Sequence, residues 1–152
     1  MKESKHRSLG FWALFSFGLL ILMMLLVGQM MSFINYEFTV AFGLQESVDV
    51  VGDMGVAFNK AFGVGDTLVY MPLLLFGLIG LWFRKKWGVY TMIGALAITA
   101  YWPIVNIFFL CFASGLPGFY FTDYLSYTIV LSIIAIYGLS GLWYLYHYYD
   151  WV

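Results

Sequence analysis

The chain has 152 residues, 63% of them hydrophobic and only 10% charged, with a net charge of −1. A soluble domain carries about 25% charged residues. This composition, with a mean hydropathy of +0.89, excludes a water-soluble globule and points to an integral membrane protein. The near-neutral charge offers nothing for nucleic acid to bind. A single cysteine, Cys111, rules out an internal disulfide or a C-x-x-C thiol pair.

A bilayer core requires about 20 apolar residues in a helix. The first such run, Leu9–Ile34, follows a basic start containing Lys2, Lys5 and Arg7. It is longer than the roughly 7–15 residues of a signal h-region and offers no small-residue cleavage site, so it reads as an uncleaved anchor. Its far end carries Gln29, Ser32 and Asn35.

The next segment, Leu44 to Asp66, holds four acids and one base. Glu46, Asp49, Asp53 and Lys60 fall within about 60° of a helical wheel. Val48, Val51, Phe58 and Phe62 lie opposite, with Met54 on their flank. This spacing predicts an amphipathic helix over about 44–62, ended by the Gly63–Gly65 glycines. Its acidic face makes it a lid packed on other helices rather than a binder of anionic lipid. The carboxylates are too spread along one helix to cage a metal ion.

The remaining spans are predicted at about 67–83, 87–112 and 124–146. Pro72 and Pro103 free the carbonyls of Leu68 and Thr99 and favour kinks. Thr122 or Asp123 can cap the last helix. Gly77 and Gly80, then Gly94, Ala97 and Ala100, then Ala135, Gly138 and Gly141 mark sites of close helix approach.

Six of the seven basic residues, Lys2, Lys5, Arg7, Arg84, Lys85 and Lys86, fall on one side of these spans. The positive-inside rule makes that side cytoplasmic, with both termini there. Trp12, Trp82, Trp87 and Trp143, continued by the aromatic tail, form a belt at the same level. The expected fold is all-α: one domain over 1–152, a four-transmembrane-helix antiparallel bundle with an amphipathic outer helix between spans one and two. The expected location is a plasma or inner cell membrane.

Polar residues at membrane depth are costly, and here they gather in the outer halves of the spans. Gln29, Asp66, Tyr70, Tyr101, Trp102, Asn106 and Asp123 are the expected lining of a pocket beneath the lid. Lys60, the sole outer base, is the expected partner of one of its carboxylates. His6 and His147 both fall at the inner ends, which argues against a buried haem or zinc site. No hydrolase, metalloprotease or P-loop motif occurs, so no catalytic, metal or cofactor residues are assigned. The leading expectation is a non-enzymatic protein that binds a small apolar or amphiphilic ligand, or a partner subunit, in its outer half. The alternatives are a small transporter or transporter accessory subunit, and an enzyme acting on a lipid-soluble substrate through Asp66 or Asp123. The expected partners are the lipid bilayer and a membrane protein or second copy of the chain.

Overall fold

The computed structural model describes residues 7–116 and 123–148. Lys2, Lys5, His6, Thr122 and the end of the aromatic tail lie outside them. The described residues form helices joined by short connections, without strands. Four helices are long and apolar enough to cross a membrane: α1 (Leu9–Ile34), α3 (Val48–Trp82), α4 (Lys86–Ala113) and α5 (Tyr124–Tyr148). A short helix α2 (Tyr36–Ala41) follows α1.

Local chemistry sets the ends of these helices. The Ser8 hydroxyl accepts from the Phe11 N–H at 3.2 Å and caps α1, serving one of the donors that a helix start leaves free. Asn35 breaks the chain direction, and its Oδ1 accepts from the Phe38 N–H to start α2. The turn between α3 and α4 is only Phe83 to Lys85. It closes with a bond from the Lys85 N–H back to the Gly80 carbonyl at 2.7 Å, and Arg84 takes the left-handed conformation, φ 53, that such a helix stop requires.

Helix α4 packs against both the second half of α3 and α5, and α1 touches α3 and α5. Glycines make the closest approaches. Gly80 meets Gly88 backbone to backbone, Gly77 meets Met92, and Gly138 meets Ala100. The small residues singled out in the sequence serve this purpose in part: Gly94 makes only ordinary contacts with Leu73, and Ala97 is exposed. Leu74, Leu81, Val89, Met92, Leu96 and Leu145 form the centre of the core. The outer faces are also apolar, with Leu20, Met23, Leu68, Phe76, Ile133 and Ile136 all exposed.

The basic end is pinned by Arg7. Its Nη2 donates to the Trp82 carbonyl at 2.8 Å, and its guanidinium lies 4.0 Å from the centroid of the Trp82 ring. This ties the start of α1 to the end of α3. The Tyr137 hydroxyl donates to the Leu14 carbonyl at 2.8 Å and joins α5 to α1 in the same way.

The segment before the second span differs from the sequence expectation. The expected start at 67 moves back to Val48, and the amphipathic segment becomes the first half of α3 rather than a separate outer helix. The break comes at Gly52, with φ 68 and ψ 173, and the chain is helical onward through Gly63–Gly65. Those glycines do not stop the helix because Gly65 keeps ordinary helical angles, φ −59 and ψ −46. Gly63 is used for contact: it is buried against the Gln29 carbonyl and the Ser32 hydroxyl. The kink at Gly52 also divides the helical wheel. Glu46 precedes the cap residue Ser47 and is not on the helix, and Met54 is 83% exposed.

Candidate functional site: a cavity between the four long helices

Two wide turns prepare this region. Within α1, Leu25–Met30 forms a π-helical turn, and within α3, Asp66–Tyr70 forms another. In the second, the Met71 N–H reaches back five residues to the Asp66 carbonyl. Pro72 follows at once and lacks the N–H that would have served the Leu68 carbonyl, so the ladder is already interrupted here. The two wide turns pack against each other. Gln29 belongs to one and Asp66 to the other.

Beside them lies a cavity of about 470 Å³, within the range of small-molecule sites. All four long helices contribute to its wall: Gln29 from α1, Phe58, Phe62 and Asp66 from α3, Trp102 and Asn106 from α4, and Leu131 from α5. Glu46 and its neighbours in the α2–α3 connection, and Asp123 before α5, complete it. Most of the lining is apolar. The exceptions include three carboxylates, Glu46, Asp66 and Asp123, and no Lys, Arg or His is among them.

Five of the seven residues expected from the sequence line this cavity: Gln29, Asp66, Trp102, Asn106 and Asp123. Tyr101 does not. It is 70% exposed, because a residue next to Trp102 on a helix points about 100° away. Tyr70 does not line it either and is 1% exposed. Its hydroxyl lies 2.6 Å from Thr99 Oγ1, which in turn donates to the Ala95 carbonyl at 2.8 Å. Thr99 has one hydrogen and uses it there, so Tyr70 is the donor in their shared bond. Asn106 faces the cavity while its Nδ2 donates to the Trp102 carbonyl one turn back, at 2.8 Å. Asp123 sits on the exposed side of the wall.

Among the described residues Lys60 does not take up a carboxylate as expected. Its Nζ lies 5.6 Å from the centroid of the Tyr36 ring. Tyr36 ties this corner together. Its hydroxyl donates to the Glu46 carbonyl at 2.8 Å and accepts from Asn59 Nδ2 at 3.0 Å. Burial raises the Tyr36 pKa above its ordinary value; the bond from Asn59 opposes the rise, and the charges of Glu46 and Glu37 add to it. The bonds around Tyr36 hold the Glu46 stretch of the cavity wall against α3.

Among the described residues, two buried polar atoms in this wall lack a hydrogen-bond partner: Gln29 Oε1 and Trp102 Nε1. The Trp102 N–H approaches the Tyr70 hydroxyl without reaching hydrogen-bond geometry. An unmade hydrogen bond at a buried group costs about 1–3 kcal/mol, so such atoms in a cavity wall mark places where an occupant gains. Sequence reasoning missed Glu46, Phe58, Phe62 and Leu131 as lining. Pro72 was a legible sign of the wide turn in α3, whereas nothing comparable marks the one in α1.

No family model matches the chain, and no characterised protein or solved structure is significantly similar to it.

Proposed function

We propose that this protein is a multi-pass membrane protein that binds a small amphiphilic molecule in the cavity between its four long helices. The cavity carries the reading. It has the volume of a ligand site, its wall is mostly apolar, and its few polar groups include buried atoms without partners. Such a site suits a molecule with an apolar body and one polar end.

Insertion in the bilayer is supported by the exposed Leu, Ile, Phe and Met side chains on all four helices. An apolar exterior of this extent is at rest in hydrocarbon and not in water. The short turn between α3 and α4 favours opposite directions for these two helices, as in an antiparallel bundle. Arg7 and the Arg84–Lys86 turn then share the cytoplasmic side, and the Glu46–Asp53 stretch lies outside.

The test is native mass spectrometry of the full chain released from native membranes in a mild detergent. A discrete bound mass should persist when bulk lipid is stripped. Leu131→Trp, which pushes a larger side chain into the cavity, should weaken its retention while the protein stays folded. A chain that carries only heterogeneous lipid, unchanged by Leu131→Trp, would end this reading.

A further inference from the structure

We infer that the occupant of the cavity is an organic amine, protonated and carrying an apolar body, whose ammonium group is held by Asp66 and Gln29. The inference rests on the ligand-binding reading above and names the chemistry of the ligand. The groups of the wall differ in what they still need. The Glu46 carboxylate already meets the Tyr127 hydroxyl. Asp123 is on the exposed side, where water serves it. Asp66 is largely withdrawn from solvent and has no hydrogen-bond or ion-pair partner among the described residues. Gln29 Oε1 is buried and equally unserved.

Both groups are acceptors, and they stand on the two wide turns that pack together. A carboxylate and an amide oxygen with no donor call for a group that brings several N–H donors and a positive charge. A protonated amine has both. No base of the wall competes for the place, since Lys60 is held over Tyr36. A bare metal ion is a poorer fit. Among the described residues no three His, Cys, Asp or Glu side chains stand close enough to share one, and hard cations demand more oxygens than this pair supplies. An anionic amphiphile would set its charge against three carboxylates. The apolar remainder of the wall, including Phe58, Phe62 and Leu131, receives the body of the molecule.

The test is equilibrium dialysis of radiolabelled dodecylamine, dodecanol and dodecanoate against the full chain in phosphatidylcholine nanodiscs, with binding to empty nanodiscs subtracted. Dodecylamine should bind saturably and at least about tenfold more tightly than the other two, the scale of a hydrogen-bonded charge. Asp66→Asn should remove most of that advantage and leave dodecanol binding unchanged, which also reports that the variant is folded. Gln29→Leu should weaken dodecylamine binding without touching the carboxylate. Equal binding of amine and alcohol, indifferent to Asp66→Asn, would overturn the assignment of charge and leave the cavity reading intact. Tighter binding of dodecanoate would overturn it as well. Saturable binding of none of the three would remove the ligand-binding reading and this inference together.

Discussion

Gly63 of α3 lies directly against Gln29 of α1, so that a Cβ at position 63 would collide with the Gln29 carbonyl oxygen and with the Ser32 hydroxyl. This contact sets the distance between the two wide turns. Two residues further on, Gly65 has open space around it and ordinary helical angles. The pair therefore predicts opposite responses to the same substitution. Gly63→Ala should destabilise the protein by about 1–3 kcal/mol through overpacking. Gly65→Ala should stabilise it by about 0.5–1 kcal/mol, since alanine loses less backbone freedom in a helix. Thermal unfolding of both variants in one detergent checks the signs.

Gly52 predicts a different kind of loss. Its φ of 68 and ψ of 173 belong to a region open essentially to glycine alone. Nothing crowds the position, so the cost of Gly52→Ala is purely conformational, about 1–3 kcal/mol. The substitution should straighten the start of α3 and draw the Glu46 stretch off the cavity. Faster proteolysis between α2 and α3 should accompany the drop in stability. Unchanged proteolysis would mean that the kink does not hold that wall.

The Tyr70–Thr99 bond predicts an asymmetry between its two ends. Tyr70→Phe removes a donor and leaves Thr99 still bonded to Ala95, so its cost should be about 0.5–1.5 kcal/mol. Thr99→Val keeps the phenol but leaves a buried O–H without its acceptor, which should cost about 1–3 kcal/mol. Chemical unfolding of the two variants should rank Thr99→Val as the more damaging.

Tyr36 predicts sensitivity to alkali. Its pKa in the folded protein is raised above the ordinary 10.0, by burial first. The unfolded chain therefore loses this proton at lower pH than the folded one. Stability from this group is present in full below about pH 10 and declines as pH climbs through the raised folded value. Above pH 10, Tyr36→Phe should lose less stability with rising pH than the unaltered protein does. Parallel alkaline limbs would show that Tyr36 does not govern the response.

The orientation predicts a labelling pattern. In a Cys111→Ser background, Lys85→Cys should resist a membrane-impermeant maleimide in intact cells and react once the membrane is opened. Asp53→Cys should react in both conditions, because that position is exposed. The reverse pattern would invert the assignment made from the bases.

Hydrophobic run length alone determined that, among the described residues, four helices are long and apolar enough to cross a membrane. Run length is legible because each residue adds a fixed rise and a fixed transfer energy, whatever its neighbours. Gln29, Asp66, Trp102, Asn106 and Asp123 were legible as a group because polar side chains in or beside long apolar runs need a partner or a cavity. Tertiary structure decided the rest. Gly63–Gly65 read as a helix stop, yet α1 packs against Gly63 and the helix runs on, since a glycine that weakens a helix alone also lets another backbone come close. Tyr70 went to the core because the π-helical turn that ends at it alters the 100° step from which facing is reckoned, and Tyr101 went to the outer face because it stands one ordinary helical step from Trp102. Lys60 went to Tyr36 rather than to a carboxylate. A side chain's partner depends on which groups the fold brings within reach, and spacing along the chain does not contain that distance.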